Sequence, residues 1–117
     1  MSIATDIASI RVLSSIYRNQ ALAESCTETV RTLCEKVEYI DWAGIYFYDG
    51  EEKVLSAHAS SLPDKKETMQ SQLAFPIKNK DREFGTLVVK SRQWIVFDVT
   101  DVSTLEKVAA ALGAAAS

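Results

Sequence analysis

Few side chains in this sequence carry reactive or ligating chemistry. They are two cysteines, Cys26 and Cys34, a single histidine, His58, and an aromatic pair, Trp42 and Tyr46, in the stretch DWAGIYFYDG. Thiols eight residues apart in a helical pattern stand ~12 Å apart along the axis, whereas a disulfide needs Cα atoms within about 7 Å. The two cysteines cannot bridge within one helix and read as small buried hydrophobes. His58 lacks Cys, His or Asp partners at ligand spacing, so no metal is implied, and one histidine with no matching nucleophile elbow does not make a triad. Gly85 opens a strand after a turn and belongs to no phosphate-binding loop. Trp42 and Tyr46, four apart, are either the wall of a ligand site or the wide face of a sheet, and their spacing leaves both readings open.

The elements that must position these residues follow from periodicity. Ile3, Ile7, Ile10, Leu13, Ile16 and Tyr17 form a helical stripe over residues 3–17, broken by Asn19-Gln20. A second helix is predicted from about Ala21 to Val37, with Leu22, Cys26, Val30, Leu33, Cys34 and Val37 on one side. Strands are expected at 43–48 and 54–59, joined by the turn pair Asp49-Gly50. The polar residues 60–71, with Pro63, read as a loop. A second hairpin covers 72–78 and 84–91 around the charged turn NKDRE, and Pro76 within it favours a sheet edge. WIVF at 94–97 is a short strand or an apolar segment packed across the sheet. A last helix begins near Thr100, after the capping candidates Asp98 and Thr100. The order ααββββα gives an α+β fold: an antiparallel sheet of four to five strands with the N-terminal and C-terminal helices on one face.

Strand side chains alternate in direction. One row collects Ile45, Phe47, Leu55, Ala57, Leu73, Phe75, Ile77, Leu87 and Val89, all apolar, as a helix-covered face requires. The other collects Trp42, Tyr46, Tyr48, Ser56, His58, Gln72, Ala74, Thr86, Val88 and Lys90. Antiparallel sheets commonly keep one dry and one wetter face, and the aromatics fall on the wetter one.

At 117 residues the chain reads as one domain, 1–117, large enough to bury its own core, and 47% hydrophobic with 25% charged residues is ordinary for a globular protein. A net charge of −3, with basic residues such as Lys78, Lys80 and Arg82 interleaved among Asp81 and Glu83, argues against nucleic acid or an anionic membrane as a partner. No apolar run approaches the ~20 residues of a membrane span. MSIATDIASIRVLSS lacks the basic start and apolar block of a signal peptide. A cytoplasmic location is expected.

The stretches DWAGIYFYDG, KVLSAH, SQLAFPI, EFGTLVVKS and FDVTDVSTLEKVAAALGAA, in this order, resemble a GAF (PAS-like) domain, most closely the free methionine-R-sulfoxide reductases. The resemblance implies helical termini on one sheet face and a ligand on the other beneath a lid. Trp42 and Tyr46 match the family's substrate-contacting aromatics. The family's glutamate falls on Gln72, and its two aspartates fall on Val88 and Lys90. Its reductase cysteines belong to the segment after the second strand, which here is the short, cysteine-free interval 60–71. Sulfoxide reduction needs an attacking thiolate and a resolving cysteine. Replacing three acids by an amide, a valine and a lysine shifts the local charge by about four units, against an ammonium-bearing substrate.

The expectation is a non-catalytic regulatory or sensor module with no cofactor. It would bind a small molecule or a protein partner through Trp42, Tyr46, His58, Gln72 and Lys90, with an anionic or carbonyl-bearing ligand favoured. A homodimer is expected, the N-terminal stripe and the tail VAAALGAAAS pairing as a helical bundle. The alternatives are a purely structural dimerisation domain and a residual reductase.

Overall fold

Residues 21–61, 69–94 and 96–116 are described in the computed structural model. The helix expected over 21–37 forms as α1, Leu22–Lys36. Cys26, Val30, Leu33 and Cys34 repeat at helical spacing on its inner side and are buried. Ser25, Thr29 and Thr32 are buried with them, and the Thr29 hydroxyl donates to the Ser25 carbonyl at 2.7 Å. The helix ends at Val37, whose backbone is extended while its N–H still donates to Leu33 O.

Two hairpins follow. β1 (Trp42–Asp49) and β2 (Glu52–Ser60) are joined by Gly50 and Glu51, with Gly50 at φ 67° in the left-handed region that a two-residue hairpin turn requires. β3 (Ser71–Asn79) and β4 (Arg82–Ser91) are joined by Lys80 and Asp81. All pairings are antiparallel, and the strand order is β2-β1-β4-β3. Pro76 thus lies on an edge strand, as its missing N–H demands.

Trp94, Val96 and Phe97 belong to no strand, and the sheet has four strands among the described residues. Trp94 is 70% exposed, while Val96 and Phe97 pack on the core and the Phe97 ring meets Tyr39 edge-on at 5.7 Å. α2, Val99–Ala116, starts on a reciprocal cap. Asp101 N–H donates to Asp98 Oδ1 at 2.8 Å, and Asp98 N–H donates to Asp101 Oδ2 at 3.1 Å. Of the two expected caps, Asp98 makes it; Thr100 lies inside the helix.

Both helices cover the same sheet face, α1 over β1 and β2, α2 over β3 and β4. Ile45, Ala57, Phe75, Ile77, Leu87 and Val89 form the buried floor between sheet and helices, with Leu105, Val108 and Leu112 from α2. The apolar row holds in β1, β3 and β4, but β2 departs from simple alternation. Ala57 pairs with Ile45, yet Leu55 pairs with Tyr46, so Ser56 is an extra residue in β2. A one-residue bulge moves every residue beyond it to the other face. Leu55 therefore shares the open face with Tyr46 and is 41% exposed, a correction to its expected place in the core row.

The first expected helix (3–17), and with it half of the expected dimer bundle, lies outside the described residues, as does most of the 60–71 loop. Among the described residues no helix is long and apolar enough to cross a membrane.

Candidate functional site

The open face is organised in rungs, because residues paired across strands share a side. The first rung reads Ser60, Trp42, Lys90, Gln72 across β2, β1, β4 and β3. The second reads His58, Gly44, Val88, Ala74, and the third Leu55, Tyr46, Thr86, Pro76. All five candidate residues therefore stand on one surface. Lys90 and Gln72 are direct neighbours of the first rung, with Trp42 on the other side of Lys90. His58 is exposed and sits one rung away, opposite Gly44.

Trp42 is held by its neighbours. Gly44 has no side chain, and a Cβ there would fall 2.1 Å from Trp42 Cη2 and 2.6 Å from Cζ3, so the far edge of the indole occupies that space. The Lys90 ammonium lies 4.7 Å from the centre of the Trp42 ring, a cation–π contact. The Tyr46 ring is 6.5 Å from it, tilted by 42°. Further along the same face the Tyr48 phenol donates to the Glu83 carboxylate at 2.7 Å, which pushes its pKa up, and Lys53 lies 5.5 Å from the Tyr48 ring. Among the described residues no carboxylate pairs with Lys90, and no cluster of three His, Cys, Asp or Glu could hold a metal.

Asp41, the residue before Trp42, braces this end of the sheet and is only 3% exposed. Its carboxylate accepts the Arg92 N–H at 2.8 Å and lies 3.9 Å from the Arg92 guanidinium. Its own N–H donates to Lys90 O at 2.9 Å, and its carbonyl accepts from Ser61 N–H at 3.0 Å and the Ser60 hydroxyl at 3.2 Å. One residue thus ties together the start of β1, the end of β2 and the end of β4, and so fixes Trp42 against Lys90. Sequence reasoning passed over Asp41 and Gly44. A glycine inside a strand does signal a close approach; nothing local marked Asp41 as buried.

The thiols are remote from this face. Cys26 and Cys34 lie on α1 among the core residues, 2% and 9% exposed, and the Cys34 thiol donates to Ala59 O at 3.4 Å. Burial pushes both pKa values up to about 11.

No family model matches this chain, and no curated protein matches it. Solved structures do. A free methionine-R-sulfoxide reductase from Neisseria meningitidis, in complex with its substrate, superposes with a TM-score of 0.83 at 17% identity, covering 97% of this chain and 89% of that chain. The GAF domain of a phosphoenolpyruvate-protein phosphotransferase from Coxiella burnetii gives a TM-score of 0.83 at 14% identity, over 98% of this chain and 94% of that one. The GAF domain of an Acinetobacter phosphoenolpyruvate-protein phosphotransferase gives 0.80 at 17% identity, over 92% and 89%. The chain has the GAF fold, and its likeness to the reductases and to the other GAF domains is one of fold.

Proposed function

We propose that this GAF-fold chain is a non-catalytic regulatory module that binds a small anionic or carbonyl-bearing ligand at the Trp42–Lys90 end of the open sheet face. The observation that carries the reading is the Lys90 ammonium over the Trp42 ring, with no described carboxylate to neutralise it and the Gln72 amide beside it. The chain's own cation fills the aromatic surface on which a ligand ammonium would otherwise sit. A second positive charge near 4 Å would cost on the order of 1 to 4 kcal/mol. An anion or a carbonyl would instead gain a donor already held in place. The non-catalytic part rests on the thiols. At a pKa of about 11, only about one in 10⁴ is thiolate at neutral pH, and both thiols belong to the core on the helix side of the sheet.

The test is a thermal-shift screen of metabolites grouped by charge, on the wild type and Lys90→Gln. Anionic or carbonyl compounds should raise the melting temperature of the wild type and lose that effect in the variant. Stabilisation by ammonium compounds alone, or by nothing, would overturn the ligand assignment. Turnover of free methionine sulfoxide in an NADPH-coupled assay would overturn the non-catalytic one.

A further inference from the structure

Away from the Trp42 face, the outer edge of β3 and the adjoining side of α2 enclose a groove of about 750 Å³. We infer that this groove docks an extended, acidic segment of a partner protein, which adds to β3 as a further strand.

Three features support this. The first is the edge itself, since β3 has no neighbour on its outer side among the described residues. In an antiparallel ladder alternate residues bond to the neighbouring strand. Pro76 has no N–H to donate to its partner Thr86, so Leu73, Phe75 and Ile77 are the residues whose backbone bonds to β4. Gln72 and Ala74 then direct both backbone groups outward, and Pro76 its carbonyl. An incoming strand meets two donors and three acceptors.

The second feature is the shape of the wall. On the helix side the groove is lined by Val102, Ala109 and Ala110, short side chains that leave room beside the strand. At the far end the helix closes on the strand. A Cβ on Gly113 would lie 2.1 Å from Lys78 O, so only glycine permits that approach. A trough between an edge strand and a helix, narrowing at one end, suits strand addition, in which main-chain bonds give affinity and the trough takes alternate side chains.

The third is charge. Lys78 and Lys80 stand exposed at the narrow end, and no described carboxylate pairs with either; Glu106 is the one acid among the described lining residues. The same lysines and Pro76 disfavour β3 pairing with β3 of a second copy, which would bring like charges together across the new ladder. An acidic partner meets no such penalty.

The test uses the full chain as bait for a displayed library of random octapeptides, with Ala110→Trp, which fills the trough from an exposed helix position, as the decoy. Enriched peptides should alternate apolar residues and carry at least one Asp or Glu. They should bind Ala110→Trp and the double variant Lys78→Glu/Lys80→Glu at least tenfold more weakly, and lose affinity as salt rises. Lys90→Gln should bind them as the wild type does. Both lysines are exposed, so their variant stays informative if the tryptophan perturbs folding. No enrichment over the decoy, enriched peptides without an acid, or undiminished binding by the lysine variant would overturn the inference. So would a self-association in sedimentation equilibrium that Ala110→Trp abolishes, because the occupant would then be a second copy.

Discussion

Gly44 decides how Trp42 behaves. The indole edge lies where a side chain at Gly44 would project, and Lys90 rests over the ring, so the aromatic is fixed from below by backbone and from beside by a cation. Gly44→Ala must push the ring off its seat. The expected cost is about 1 to 3 kcal/mol, as for other overpacked sites, and the emission of Trp42 should shift with the loss of its packing. Trp94 is 70% exposed and contributes its own signal, so the spectrum is best read in a Trp94→Phe background. An unchanged spectrum and melting temperature would show that the ring was never seated on Gly44. Lys80 is the other residue whose backbone sets a preference, standing at φ 58° in the β3–β4 turn. Asparagine tolerates that region better than lysine. Lys80→Asn should therefore stabilise the protein by up to about 1 kcal/mol in urea titration, and a loss of stability would contradict the strained turn.

Among the elements, the start of α2 carries the sharpest expectation. Asp98 and Asp101 cap the helix reciprocally, but Asp101 is fully buried and its Oδ1 also accepts the Tyr39 hydroxyl at 2.7 Å. Removing Asp98 loses one capping bond, worth about 1 kcal/mol. Removing Asp101 loses its cap and the buried Tyr39 bond together, so Asp101→Ala should cost about 2 to 4 kcal/mol. Equal costs for the two variants in urea denaturation would show that the Tyr39 bond adds nothing to the cap. The cap was legible, since Asp98 stands just before an apolar-periodic run; the tie to Tyr39, 62 residues away in sequence, was not. β2 shows the limit of alternation in the same way. Its residues alternate cleanly on paper, and a bulge at Ser56 puts Leu55 on the open face. A bulge is set by how two strands register against each other, which one strand's own pattern does not contain.

For the molecule as a whole, the buried thiols make stability depend on alkaline pH. Cys26 and Cys34 have pKa values of about 11 in the fold against an ordinary 9.0. Raised values mean that the folded state holds its protons longer than the unfolded chain does. Their contribution is fully present below pH 9, falls as pH rises from about 9 to about 11, and is gone above that. Tyr48, raised by its bond to Glu83, shifts the balance in the same direction at the alkaline end. Urea midpoints measured across this range should decline in the wild type and decline less steeply in Cys26→Ala/Cys34→Ala, even though that variant begins less stable because its core has lost two sulfurs. A wild-type midpoint constant from pH 8 to 11 would contradict the burial of the thiols. Thiol reagents should likewise label neither cysteine in the native state and both in denaturant.

The α+β class, the extent of α1, the two hairpins, the edge position of Pro76 and the division of the sheet into a greasy and a wetter side were all readable from the chain. Each depends on local periods, 3.6 residues or 2, and on residues that lack a donor or tolerate an unusual φ. The gathering of Trp42, Tyr46, His58, Gln72 and Lys90 on one surface follows from the same alternation. Folding added what depends on long-range register: which strand neighbours which, where β2 bulges, that the indole rests on Gly44 beneath Lys90, that Asp41 is buried as a three-strand brace, and that α2 and β3 leave a trough between them. Apart from the seat of Trp42 on Gly44, two positions away, these are contacts between residues distant in sequence. Neither partner's type or spacing encodes them, because each exists only when the two surfaces meet.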